Sequence, residues 1–185
     1  MHIFVRARQR TILAVVFAVY APLASAQWQP SKNVEIIAPA AAGSALDAVA
    51  RLMQRVLQDK RLVGPNITVV DKAGGGNAVG FNYLNSRPAD GHAVLVTPFT
   101  IITNRITGAN PLNFQDITPI AMLADEQVAF WEALMAKVSA DEEWLRALEQ
   151  NALSPAYAGA DATRKIFVQQ AEQLRAILTD LGLAR

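Results

Sequence analysis

Val34-Glu35-Ile36-Ile37-Ala38-Pro39-Ala40-Ala41-Ala42-Gly43-Ser44-Ala45-Leu46-Asp47-Ala48-Val49-Ala50-Arg51-Leu52-Met53 is the stretch on which the fold turns. Its first five residues form a short apolar run stopped by Pro39, which predicts a strand. Small residues follow, and from Leu46 the apolar positions fall at 46, 49, 50, 53, 56 and 57, one face of a helix. Ser44 with Asp47 three residues on has the capping-box pattern, placing the helix start at Ser44 or Ala45. Strand, short loop and helix in this order make the first half of a βαβ unit.

The pattern recurs downstream. Ile67-Thr68-Val69-Val70 predicts a second strand, entered through Gly64-Pro65-Asn66. A glycine cluster and a short helix over Val79–Leu84 come next. Pro88-Ala89-Asp90-Gly91 reads as a turn. Ala93-Val94-Leu95-Val96-Thr97 is a continuously apolar third strand of the kind buried on both faces. Ile117–Leu123 predicts a fourth, its Pro119 pointing to an edge or an irregular start. Strands joined through helices imply parallel pairing, so residues 27–124 are expected to form an α/β lobe. Beyond it, 126–138 and 141–151 predict helices, with Ser139 and Glu142 as a second capping box. Asp161 is the expected cap of a last helix running to about Leu181, with Gly182 closing it. Residues 125–185 thus form a helical segment expected to pack on the lobe.

The N-terminal residues have another purpose. Arg6, Arg8 and Arg10 precede the uncharged run from Thr11 to Ala21, Pro22 breaks it, and Ala24-Ser25-Ala26 offers a small-x-small cleavage site. This is the order of parts in a secretory signal peptide, with cleavage near Ala26 and Gln27 as the new terminus. The uncharged run is too short for a membrane-spanning helix. Removing the three arginines from the 17 basic residues leaves 14 against 16 acidic ones, so the excess of positive charge belongs to the leader. No basic patch for nucleic acid remains. Cysteine is absent, so neither disulfides nor a lipidated cysteine anchor is available.

Three segments are candidates for recognition chemistry. The loop Ala40, Ala41, Ala42, Gly43, Ser44, with Asp47 behind it, lies at a helix start, where free backbone N–H groups favour a carboxylate and small side chains allow close approach. Asp47 and Ser44 themselves compete for those donors. Thr97, Phe99, Thr100 and Asn104, after the third strand, should share the rim of that first loop, since parallel strands end on one side. The third segment holds Gly74, Gly75, Gly76 and Gly80. A dinucleotide fingerprint begun at Gly74 would need glycine where Val79 stands, and it would follow the wrong strand. No lysine–hydroxyl pair completes a phosphate loop, so a tight structural turn is the expected role. His92 is the single histidine after the leader, and neither H-E-x-x-H nor G-x-S-x-G occurs. No enzyme, metal or cofactor is expected.

These residues carry a family likeness. Trp28-Gln29-Pro30, the strand 34–38 with Pro39, Gly43 and Asp47-x-x-Ala50-Arg51 resemble the start of a tripartite tricarboxylate transporter substrate-binding protein. Asp71-Lys72-Ala73-Gly74-Gly75-Gly76-Asn77-x-x-Gly80, then Pro88-Ala89-Asp90-Gly91-His92, then Phe114-Gln115-Asp116-Ile117-Thr118-Pro119-Ile120 resemble its successive loops. Trp144, Leu153-Ser154-Pro155-x-Tyr157 and Leu181-Gly182-Leu183 resemble its C-terminus. The resemblance implies one lobe of a type II periplasmic-binding-protein-like fold, with a mostly parallel sheet of about four strands. It also implies a periplasmic receptor for a small organic carboxylate, such as a di- or tricarboxylate, serving a membrane tricarboxylate-type transporter. Two departures stand out: the first loop is alanine-rich, and nearly all of a second lobe is absent between about Ala124 and Val128. Loss of that lobe would impair binding and expose a sheet edge through which copies could associate. The alternative is an accessory, partner-binding domain or an internally deleted product without function.

Overall fold

The computed structural model describes residues 27–111, 114, 125–151 and 153–184. The expected leader at 1–26 and the expected fourth strand at 117–123 lie outside the described residues.

Val34–Ala38 forms β1, Ile67–Asp71 β2 and Ala93–Leu95 β3, in one sheet of order β2-β1-β3. Both pairings are parallel, with Val34 opposite Ile67 and Glu35 opposite Ala93. The earliest strand is therefore the central one. Val34, Ile36, Ile37 and Ala38 are all buried, as a strand flanked on both edges and covered on both faces must be.

Ala45–Asp59 is α1 and Ala78–Asn85 is α2, the two crossover helices. The helical period found in the sequence holds: Ala50, Met53, Val56 and Leu57 are buried against Val34, Ile36, Ala38 and Ile67. Strand residues alternate faces, so Glu35 and Ile37 look the other way. There Glu35 accepts hydrogen bonds from Tyr83 Oη of α2 (2.9 Å) and Arg87 Nη1 (2.6 Å). Crossovers to opposite sides of β1 have placed their helices on opposite faces of the sheet, which is what crossovers of one hand require.

Thr100–Ile106 forms α3, Asp125–Ser139 α4, Glu142–Gln150 α5 and Ala160–Asp180 α6. The helices α4 and α5 extend the first core, with Trp131, Leu134 and Val138 buried beside α1. Trp131 Nε1 donates to the Gly91 carbonyl at 2.9 Å, tying α4 to the turn that enters β3. A second core joins Phe81, Ile101, Ile102, Ile106 and Phe114, covered by Phe167, Ala171, Leu174 and Leu178 of α6. The C-terminal helices thus pack on the α/β unit, as expected.

Several local expectations are corrected. The third strand ends at Leu95, short of Thr97, and Val94, Leu95 and Val96 are only partly buried, because among the described residues β3 has a single strand neighbour. Residues 100–104, expected as loop, belong to α3. Ser139 does not cap α5. Its hydroxyl is spent on the Ala136 carbonyl at 2.8 Å, and Asp141 accepts from the Glu143 and Trp144 amides. Asp141 directly precedes the helix, where a carboxylate reaches those donors and complements the dipole. Gly159, not Asp161, is the N-cap of α6, and Asp161 lies in its first turn. Gly182 closes that helix at φ +70°, as expected.

Candidate functional site at the carboxyl rim of the sheet

The chain leaves β1 on one side to build β2 and crosses back to build β3. The loops after β1 and β3 therefore diverge at the carboxyl rim, the switch point where open α/β sheets form crevices. The loops 39–44 and 96–99 flank that point.

The glycine turn joins them. Gly74, Gly75 and Gly76 have φ of +130°, +57° and +60°, and Asn77 follows at +77°. Such a run is open to glycine and, at its end, to asparagine. It turns Asn77 across the rim. Asn77 Nδ2 donates to the Pro39 carbonyl at 2.6 Å, and its Oδ1 accepts from Thr100 Oγ1 at 2.9 Å. Asn104 Nδ2 donates to the Gly76 carbonyl at 2.6 Å. Thus the loops after β1 and β2 and the helix α3 are laced into one surface. Gly80 permits the closest approach, because a Cβ there would lie 2.7 Å from Pro39 Cα.

The predicted residues come together unevenly. Ala41, Ala42, Gly43, Thr97, Phe99 and Thr100 are exposed on the rim, with Ala40, Ser44 and Asn104 partly covered. Thr100 and Asn104 each spend a polar group on the lacing. Thr97 Oγ1 donates to the Pro98 carbonyl at 3.1 Å. The Phe99 ring sits 5.0 Å from that of Phe167, so α6 borders the rim.

Asp47 is buried behind the loop and serves it from below. Its Oδ2 accepts from the Gly43 N–H at 2.8 Å, and its own N–H donates to Ser44 Oγ at 3.2 Å. The capping box is thus displaced by one residue, since the carboxylate takes Gly43 and not Ser44. The Ser44 amide bonds to the Ala41 carbonyl at 3.1 Å. The amides of Ala45 and Leu46, the first two of α1, have no acceptor within the helix.

Arg51 braces this arrangement. Its Nε lies 2.7 Å from Asp47 Oδ1 and its Nη2 3.2 Å from Asp71 Oδ2. The Gly43 N–H and then Arg51 hold the Asp47 carboxyl below its ordinary range. Asp71, at the end of β2, is pushed up, first by burial and then by the negative charge of Asp47. Sequence reasoning missed Asn77 as a clamp and Arg51 as a brace. The only local signal for either was an asparagine after three glycines, and an arginine one helical turn from an aspartate.

A polar groove lies at the far end of α1, lined by Leu52, Arg55, Lys60, Asp141, Glu143 and Arg146. Its charges neutralise one another, Arg55 with Glu143 at 2.9 Å and Lys60 with Asp141 at 3.2 Å. That pairing leaves little for a ligand, and the groove is remote from the rim. No cluster suited to a metal ion occurs among the described residues. Nor is any helix among them long and apolar enough to cross a membrane.

No protein-family model matches the chain. Similar proteins do exist. The UPF0065 protein in the tcbD-tcbE intergenic region of a Pseudomonas species is 27% identical over 101 residues, covering 53% of this chain and 30% of the relative. Protein BugT of Bordetella pertussis is 26% identical over 118 residues, covering 62% of this chain and 35% of that one. The chain spans about a third of the length of these curated relatives. Among solved structures, a TctC solute binding protein from Polaromonas, crystallised without ligand, is 24% identical with a TM-score of 0.43, over 46% of this chain and 29% of the other.

Proposed function

We propose that this chain is a periplasmic solute-binding component, exported by cleavage near Ala26, that takes up a small organic carboxylate for a membrane tricarboxylate-type transporter. Its role is binding and not catalysis. The observation that carries the reading is that Asn77 ties the loops after β1 and β2 to the start of α3 at the switch point of the sheet. Such a brace makes a firm surface of Ala41, Ala42, Gly43, Thr97 and Thr100, where small side chains leave backbone amides within reach of a carboxylate. Sequence similarity to BugT supports the same direction, over part of each chain.

A single lobe binds with a handicap. Its rim is open, so each hydrogen bond to a carboxylate competes with water and contributes little net free energy. A second lobe closing over the solute would remove that competition. We therefore expect affinity to be impaired, with specificity spread across several carboxylates.

Calorimetric titration of the folded protein with a panel of mono-, di- and tricarboxylates tests this. A dissociation constant tighter than about 10 μM, roughly −7 kcal/mol, supports a receptor. A sample with cooperative unfolding that gives no heat with any member of the panel would falsify it.

A further inference from the structure

The segment before β1 is fastened down from Trp28 onward. The Trp28 ring packs edge-on against His92 at 5.6 Å and Phe130 at 5.3 Å, and Pro30 is buried. Ser31 N–H donates to His92 Nε2 at 3.1 Å, and Lys32 Nζ lies 3.4 Å from Asp90 Oδ2. Asn33 Nδ2 donates to Thr68 Oγ1 of β2 at 2.9 Å. A strap from Trp28 to Asn33 thus joins the turn before β3, α4 and β2. Gln27 stands just outside it. It is exposed, and no hydrogen bond, ion pair or ring contact among the described residues engages it.

We propose that the N-terminus of the exported protein is a modification site, where Gln27 closes on itself to pyroglutamate. The step rests on the proposed export with cleavage after Ala26, which frees the α-amine of Gln27. That nitrogen attacks the Cδ carbonyl carbon of the same side chain. The N–Cδ bond forms, the Cδ–Nε2 bond breaks, and one amine proton moves to the departing nitrogen, which leaves as ammonia. The product is a lactam of N, Cα, Cβ, Cγ and Cδ, and no oxidant, reductant or co-reactant enters. Nucleophile and carbonyl belong to one residue, so the step is intramolecular. An α-amine titrates only about a unit above neutral pH, so a fraction of it is always the free base that the attack needs. The structure adds the other requirement. The Gln27 side chain is held by no partner, so its amide is free to swing back onto the amine.

Ring closure has two physical consequences. It removes the positive charge of the terminus next to the aromatic cluster of Trp28, His92 and Phe130. It also removes the free amine that an aminopeptidase must grip. Stepwise trimming would take Gln27 and then Trp28, and with Trp28 the anchor of the strap. The lactam stops that erosion at its first step.

The test uses the full chain, leader included, produced in a bacterial host and recovered from the periplasm. The intact mass of the fresh protein should be that of residues 27–185 less one ammonia. The loss should lie in the tryptic peptide Gln27–Lys32, on its first residue. Edman degradation should be blocked for the parent and should read Gln27→Ala from its first residue. An aminopeptidase should shorten Gln27→Ala and leave the parent at full mass. An unmodified 27–185 chain with a terminus open to Edman degradation overturns the proposal and leaves the export reading standing. An ammonia loss carried by any other peptide overturns it as well. A chain that keeps the leader, or that begins at another residue, overturns cleavage after Ala26 and the proposal with it.

Discussion

Gly80 is the position least tolerant of a methyl group. A Cβ there would meet Pro39 Cα at 2.7 Å, backbone against helix, with no flexible atom to move aside. Alanine would favour the helix by up to about 1 kcal/mol, but the clash costs about 1–3 kcal/mol and should win. We expect Gly80→Ala to be less stable in urea unfolding and to shift the Pro39 loop. Asp47 and Asp71 make an opposed pair. The Asp47 carboxyl is held down in the folded state, so its contribution is present above the unfolded carboxylate range and is lost as pH falls through the lower folded value. Asp71 is pushed up, so its ionisation costs stability at neutral pH, and the cost is relieved as pH falls through its raised value. Urea titrations at pH 7 and pH 3 check both signs. Asp47→Asn should lose on the order of 1 kcal/mol at neutral pH, with the deficit shrinking in acid. Asp71→Asn should show the reverse trend, its standing relative to the parent falling as pH falls.

At the scale of elements, α1 and α6 make a contrast. Six residues of α1 are buried, among them Asp47, and it packs on two strands; α6 has no buried residue and rests on α3 through a narrow seam. Local opening follows buried contact, so hydrogen exchange should find the amides of α6 open well before those of α1. An α6 as protected as α1 in dilute protein would contradict that account. The same contrast explains what could be read from the sequence. The α1 pattern at 46, 49, 50, 53, 56 and 57 is tertiary burial written at helical period, and it was legible at once. The α3 segment carries Thr100, Ile101, Ile102, Thr103 after Pro98, a β-branched run whose local preference is against helix. It is helical because Ile101, Ile102 and Ile106 fill the space above Phe81, and no local rule reports that. Capping residues were half legible. Ser139 and Asp161 had the right chemistry near the right place, but Asp141 stood closer to the free amides. The Asn77 clamp was legible only as an asparagine after three glycines, since its partners Pro39 and Thr100 are remote in sequence and meet only once the sheet exists.

For the whole molecule, the question is what holds the C-terminal helices to the sheet. Trp131 is nearly fully buried, and its Nε1–H satisfies the carbonyl of Gly91, which is itself buried. On the same surface Trp28 packs edge-on against His92 at 5.6 Å and Phe130 at 5.3 Å, so the segment before β1, the turn before β3 and α4 share one aromatic cluster. Trp131→Phe keeps much of the apolar area but leaves that carbonyl without its donor, at a cost of about 1–3 kcal/mol. Thermal unfolding should show the loss, and the transition should stay single, because α4 and the sheet melt together.

The central position of β1 also governs how this protein can fold. β1 emerges first from synthesis, yet each of its partners is remote along the chain: Val34 must find Ile67, and Glu35 must find Ala93. Until both crossovers are complete it is an apolar strand with two open edges. Pairings of this kind give high contact order and slow folding, and they leave such a strand exposed to rival pairings in the meantime. Refolding by stopped-flow should therefore run on the millisecond-to-second scale typical of non-local sheets. Misfolding at high concentration should begin at Val34–Ala38.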